Sequence, residues 1–189
     1  MNPHIAKWKA EHANFGRLLD LIDSQIAIFH DGERPDYELM LEVMHYMTTY
    51  PDLYHHRRED LAFEVVFARD PAHAAVADEL AAQHVRIAHS GAKLVQDLGA
   101  IIDGVVLPRA AVEADAAEYS RFMRQHMQHE EADIFPAVER LLDAKDWLLI
   151  DSKIHFISDP IFGDAVAKRY TSLHQQIAKR AGCGCSTIS

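Results

Sequence analysis

Hydrophobic side chains return every three or four residues along four long stretches of this chain. That period describes one face of a helix and does not suit a strand. Ile5, Trp8, His12, Phe15, Leu19, Ile22, Ile26 and Phe29 mark the first face, from about Pro3 to Asp31, and HDGERPD (His30–Asp36) ends it with Gly and Pro. The second stretch runs from about Asp36 to Ala68 through Leu41, Met44, Thr48, His55, Glu59, Ala62 and Val66. Pro51 lies inside it and should kink the helix one turn before His55, because its ring clashes with the Met47 carbonyl. The third begins near Pro71, with Asp70 as its cap, and carries Leu80, His84, Ile87, Gly91, Leu94, Leu98 and Ile101. The fourth runs from about Pro108 to Asp143 through Val112, Tyr119, Phe122, His126, Glu130, Ile134, Ala137 and Leu141.

Four amphipathic helices with short links pack most simply as an all-α, up-down-up-down four-helix bundle. We place this unit at residues 1–143. Residues 144–189 form an extension with one expected helix, starting at the Asp159–Pro160 cap signal, and a tail holding Cys183 and Cys185. Two thiols one residue apart do not make a disulfide framework or a closed zinc site. No apolar run approaches the roughly 20 residues that span a bilayer. The start lacks the layout of a secretory signal, so a cytoplasmic protein without membrane contact is expected. A net charge of -10 disfavours nucleic acid as a partner.

Thirteen histidines are many for 189 residues, and several fall where a core helix should be apolar. His12, His55, Glu59, His84, His126 and Glu130 all sit on the inward stripes. His55–Glu59 and His126–Glu130 repeat one His-x-x-x-Glu spacing, which puts both side chains on one face a turn apart. Counted from the shared end of an up-down-up-down bundle, the six lie about 9 to 17 residues deep. At about 1.5 Å per residue that is a band of roughly 12 Å. Individually satisfied or surface histidines are the alternative, and convergence at one depth argues against it. Four imidazoles and two carboxylates suit two metal ions, two nitrogens to each and both carboxylates bridging. Iron, manganese and zinc all accept such a set. His56, about 100° off the stripe, reads as lying behind the ligands or at solvent, with a one-residue exchange of the ligand role with His55 as the alternative; His129 and Glu131 read as outward-facing.

The motifs EHANF around His12, YPDLYHHRREDLAF around His55 and Glu59, QH at His84 and QHMQHEEADIFP around His126 and Glu130 resemble the hemerythrin-like family, also called the HHE cation-binding domain. The resemblance covers about Pro3 to Asp143. It implies a centre of two iron ions, oxo- or hydroxo-bridged, held by those six residues. It also implies a small diatomic ligand (oxygen or nitric oxide) or peroxide, in a monomer or dimer. Oxygen carriers of the family place a further His one turn after the third-helix His, where this chain has Ala88. The resemblance is therefore to the four-His, two-Glu subgroup. That subgroup includes proteins linked to nitric oxide responses and to repair of iron-sulfur proteins, which adds an iron-sulfur client as a partner. Sensing, storage, iron donation and peroxide-consuming enzyme chemistry all use the same ligands and stay open at this point.

Overall fold

The computed structural model describes residues 2–155 and 157–180, and among them there is no strand. The expected Cys183 and Cys185 tail lies outside the described residues. Helix α1 spans Pro3–His30, capped by the Asn2 side chain, which accepts from the His4 amide. It ends at Gly32, whose φ of 82° lets the Glu33 amide turn back to the Ile28 carbonyl.

The second stretch is broken where proline predicts it. Helix α2 covers Tyr37–Met47, a π turn covers Pro51–His55, and α3 covers His56–Arg69. Pro51 has no N–H to give the Met47 carbonyl, and the turn closes with the wide bond from the His56 amide to the Pro51 carbonyl. The fourth stretch does the same. Helix α4 (Ala74–Ile102) is unbroken, whereas α5 (Arg109–His129) passes through a second π turn, Glu130–Ile134, into α6 (Phe135–Leu141). Here Pro136 withholds the donor.

The result is four rods: α1, α2 with α3, α4, and α5 with α6. Each packs on its neighbour in the chain, and the fourth closes on the first. Gly91 allows a close approach of the rods, since a Cβ there would stand 2.8 Å from Thr48 Cγ2 and 3.2 Å from Tyr119 Cε2. The core is in two parts. Phe15, Ile22, Met44, Leu94 and Tyr119 belong to one cluster; Ile5, Trp8, Val66, Leu80 and Phe135 belong to the other. The polar stripe residues fall between them: His12 follows Trp8 and precedes Phe15, and His84 follows Leu80 and precedes Ile87.

Among its described residues the extension holds two α-helices where one is expected. Helix α7 (Ala144–Lys153) starts from a reciprocal capping box between Asp143 and Asp146 and buries Trp147 and Ile150. Helix α8 is Thr171–Arg180. Asp159 and Pro160 do not start a helix. The Asp159 carboxylate instead accepts from the Ile161 and Phe162 amides and from the Tyr46 hydroxyl, closing a turn against α2.

Candidate metal centre

All six stripe residues are brought together. His55, Glu59 and Glu130 are fully buried, and His12, His84 and His126 nearly so. They form two clusters that share the carboxylates. In one, His12 Nε2 lies 3.0 Å from His55 Nε2, and His55 Nε2 lies 3.1 Å from Glu59 Oε1. In the other, Glu130 Oε1 lies 3.1 Å from His84 Nε2 and 3.2 Å from His126 Nε2. Each carboxylate then turns its second oxygen to the opposite cluster. Glu130 Oε2 is 3.4 Å from His12 Nε2, and Glu59 Oε2 is 3.8 Å from His84 Nε2.

A seventh residue joins them. His56 faces inward, not outward as an unbroken α-helix would put it. Its ring stacks on His84 with centroids 4.3 Å apart, and it groups with His84 and His126, one ring nitrogen of each within 4.8 Å of the others. The π turn is the reason: its wider winding carries two consecutive histidines to the bundle axis, His55 to one cluster and His56 to the other. The only sequence signal for this is Pro51 placed four residues ahead of a His-His pair.

Outer partners orient four of the five rings. The Nδ1 of His55 donates to Glu11 Oε2 at 2.7 Å, that of His84 to Asp60 Oδ1 at 2.7 Å, that of His126 to Gln83 Oε1 at 3.0 Å and that of His12 to Glu131 Oε1 at 3.0 Å. The Nδ1 of His56 lies 3.2 Å from Asp52 Oδ1. With Nδ1 committed outward, each Nε2 lone pair is left for the interior, the arrangement that fixes the tautomer of a metal-binding histidine. Glu11 is itself buried and also accepts from the Tyr50 hydroxyl at 2.8 Å. Phe15, Trp8 and Phe135 wall the rings, Phe15 standing edge-on to His55 at 5.0 Å. Neither Glu11 nor Gln83 is among the stripe ligands, and Glu131, which reads as outward, touches His12 from the solvent side.

The donor set fits a cation. Both Glu59 oxygens, Glu130 Oε2, His56 Nε2 and His126 Nε2 are buried without a hydrogen bond, a costly arrangement for so many polar atoms at one spot. Two nitrogens each about 2.1 Å from one ion and at right angles stand about 3.0 Å apart, close to the His12–His55 spacing. Protons compete for the same positions. Burial works against charge on His84, but Asp60 and Glu130 outweigh it and push its pKa up to about 10. Burial is likewise overcome at His12, by Glu130, Glu131 and Glu59, and its pKa stands well above the usual value. The same imidazoles hold Glu130 well below the carboxylate range despite its burial. His56 is the exception: burial and the neighbouring His84, His55 and His126 press its pKa well below normal, so it offers a free nitrogen most readily.

No helix among the described residues is long and apolar enough to cross a membrane. No curated protein and no solved structure matches the chain. The family description that does match, over residues 4–138, is the hemerythrin HHE cation-binding domain, and it spans all seven converging residues. The match covers most of the chain, and the chain belongs to the hemerythrin HHE cation-binding domain family.

Proposed function

We propose that the protein holds two iron ions and binds or reacts with oxygen, nitric oxide or peroxide. The observation that supports this best is the sharing of Glu59 and Glu130, each with one oxygen toward either imidazole cluster. Two carboxylates so placed suit two cations side by side, and a mixed nitrogen and carboxylate set suits iron. His12 and His55 serve one ion; His84, His126 and His56 serve the other. The donor set would then be unequal, two imidazoles against three. The bound irons supply the redox chemistry. The chain's own residues fix the imidazole tautomers through Glu11, Asp60, Gln83 and Glu131, and Trp8, Phe15 and Phe135 keep bulk water from the rings.

Elemental analysis of protein from iron-replete cells, with visible spectra before and after dithionite and then after nitric oxide or air, tests this reading. About two irons per chain and a spectrum that changes with each step are expected. A single zinc per chain, or no metal, sinks it. A second reading is an iron donor to damaged iron-sulfur proteins. It is favoured by the placing of His12, which has a surface carboxylate at its back. Iron that passes readily to a chelator while the fold stays intact supports it.

A further inference from the structure

A groove beside Glu11 and Tyr50 encloses about 220 Å³ and reaches no imidazole, and two more flank the centre. One, between α3 and α4, encloses about 310 Å³ beside Asp60, Glu64 and Phe67 and reaches no imidazole. The other, between α1 and α5, encloses about 630 Å³ and has His12 in its wall, with Lys9, Ala13, Gly16, Arg124 and Glu131 around it. None of the other four imidazoles lines either groove.

We infer that the α1–α5 groove is the route by which the metal ion enters and leaves, with His12 as the ligand that swings aside to let it pass. This rests on the reading that the centre holds metal. His12 stands between two carboxylates adjacent in the chain. Glu131 touches its Nδ1 from outside at 3.0 Å, and Glu130 faces its Nε2 from inside at 3.4 Å. A cation coming from water is thus met by an oxygen donor before the ring and another after it. Small residues leave space for the ring to turn outward. Ala13 and Ala132 line the groove, and a Cβ on Gly16 would meet nothing nearer than Arg124 Nη1 at 3.9 Å. A side-chain rotation of this kind is fast compared with any opening of the bundle. His55, by contrast, is fully buried, and His56 and His126 are packed against neighbouring rings. Lys9 is the competitor at the entrance. Its ammonium lies 3.8 Å from Glu131 Oε2, where an incoming divalent ion would first bind.

The experiment follows Co(II) absorbance in stopped flow as the metal-free full-length chain takes up cobalt, and again as excess EDTA removes it. Ala13→Leu, or Ala132→Leu should the first misfold, fills the groove on exposed positions. Either variant should slow uptake and release alike, by about tenfold, with the equilibrium affinity unchanged. Lys9→Gln should speed both a few-fold, with the difference shrinking as salt rises. A packing role alone would change affinity or melting temperature, not both rates by one factor. Unchanged rates in the filled variants, altered affinity with unaltered release, or equal slowing by Glu64→Gln in the other groove would overturn the route. Failure of the wild type to bind cobalt or iron at all would instead remove the metal reading on which it stands.

Discussion

His56 and Glu131 divide the work of neighbouring positions in ways that single substitutions can separate. His56→Ala removes an imidazole whose pKa burial presses well below normal, leaving His84 and His126 with the carboxylates. Iron content should fall by about one ion per chain, measured by elemental analysis after iron-replete growth; unchanged iron would show that His56 is only packed there. Glu131→Ala removes no interior donor but frees the His12 Nδ1, so it should weaken metal affinity while leaving the number of ions bound at saturation unchanged. Glu11→Gln leaves the ring of His55 in place but weakens the acceptor that holds its Nδ1 proton. Loss of an outer partner of this kind typically costs about 10- to 100-fold in metal affinity, which competition with a calibrated chelator reads directly. Six converging residues were legible because the 3.6-residue period marks inward positions. His56 was not, since the 100° step that places it outside holds only for an unbroken α-helix. Glu11, Gln83 and Asp60 escaped for a different reason. They touch the backs of the rings, where a helix face gives no periodic signal.

The two proline-linked π turns carry the second set of tests. Pro51→Ala restores an N–H opposite the Met47 carbonyl and so permits an ordinary α-helical turn. That turn would rotate His56 away from His84. The variant should therefore bind metal more weakly while the metal-free protein keeps or gains thermal stability, a divergence visible by melting each form. Between the rods, Gly91→Ala drives a methyl to 2.8 Å from Thr48 Cγ2 and should cost about 1–3 kcal/mol in denaturant unfolding. Thr48→Ser removes that carbon and should recover part of the loss. The existence and order of the four rods followed from apolar spacing, and Pro51 and Gly32 announced their own interruptions. Helix α7 went unanticipated because its apolar residues run together as Trp147, Leu148, Leu149 and Ile150, two of them exposed, and so show no helical period. Asp159–Pro160 misled because an aspartate that caps a turn carries the same local signature as one that caps a helix.

At the scale of the whole molecule, pH couples folding to metal. The raised pKa of His84 means that its charge pairing contributes fully below the unfolded value near 6.5 and is lost as pH rises through about 10. The depressed pKa of Glu130 contributes above its unfolded value near 4.5 and is lost as pH falls through its lower folded value. The pocket therefore gives the metal-free chain most support between about pH 4.5 and 6.5, and less toward pH 10. Metal binding has the opposite slope, because each imidazole must shed its proton first. The gap in melting temperature between metal-loaded and metal-free protein should widen as pH is raised from 6.5 toward 9. A constant gap would mean that those imidazoles are neutral before the ion arrives.

Trp147 sets a lower limit on how short a working version of this protein can be. It lies beyond the family match, which ends at residue 138. Yet its indole packs at 5.4 Å against Trp8 and is stacked at 4.1 Å on His4, at the end of α1 that leads to His12. A chain cut after Asp143 would keep every metal donor and still uncover Trp8 and Ile5 to water. Removing a buried tryptophan commonly costs about 3–5 kcal/mol, a large share of a small domain's stability. The autonomous folding unit thus reaches at least to Lys153, and the ten residues of α7 act as a buttress for the helix that carries His12.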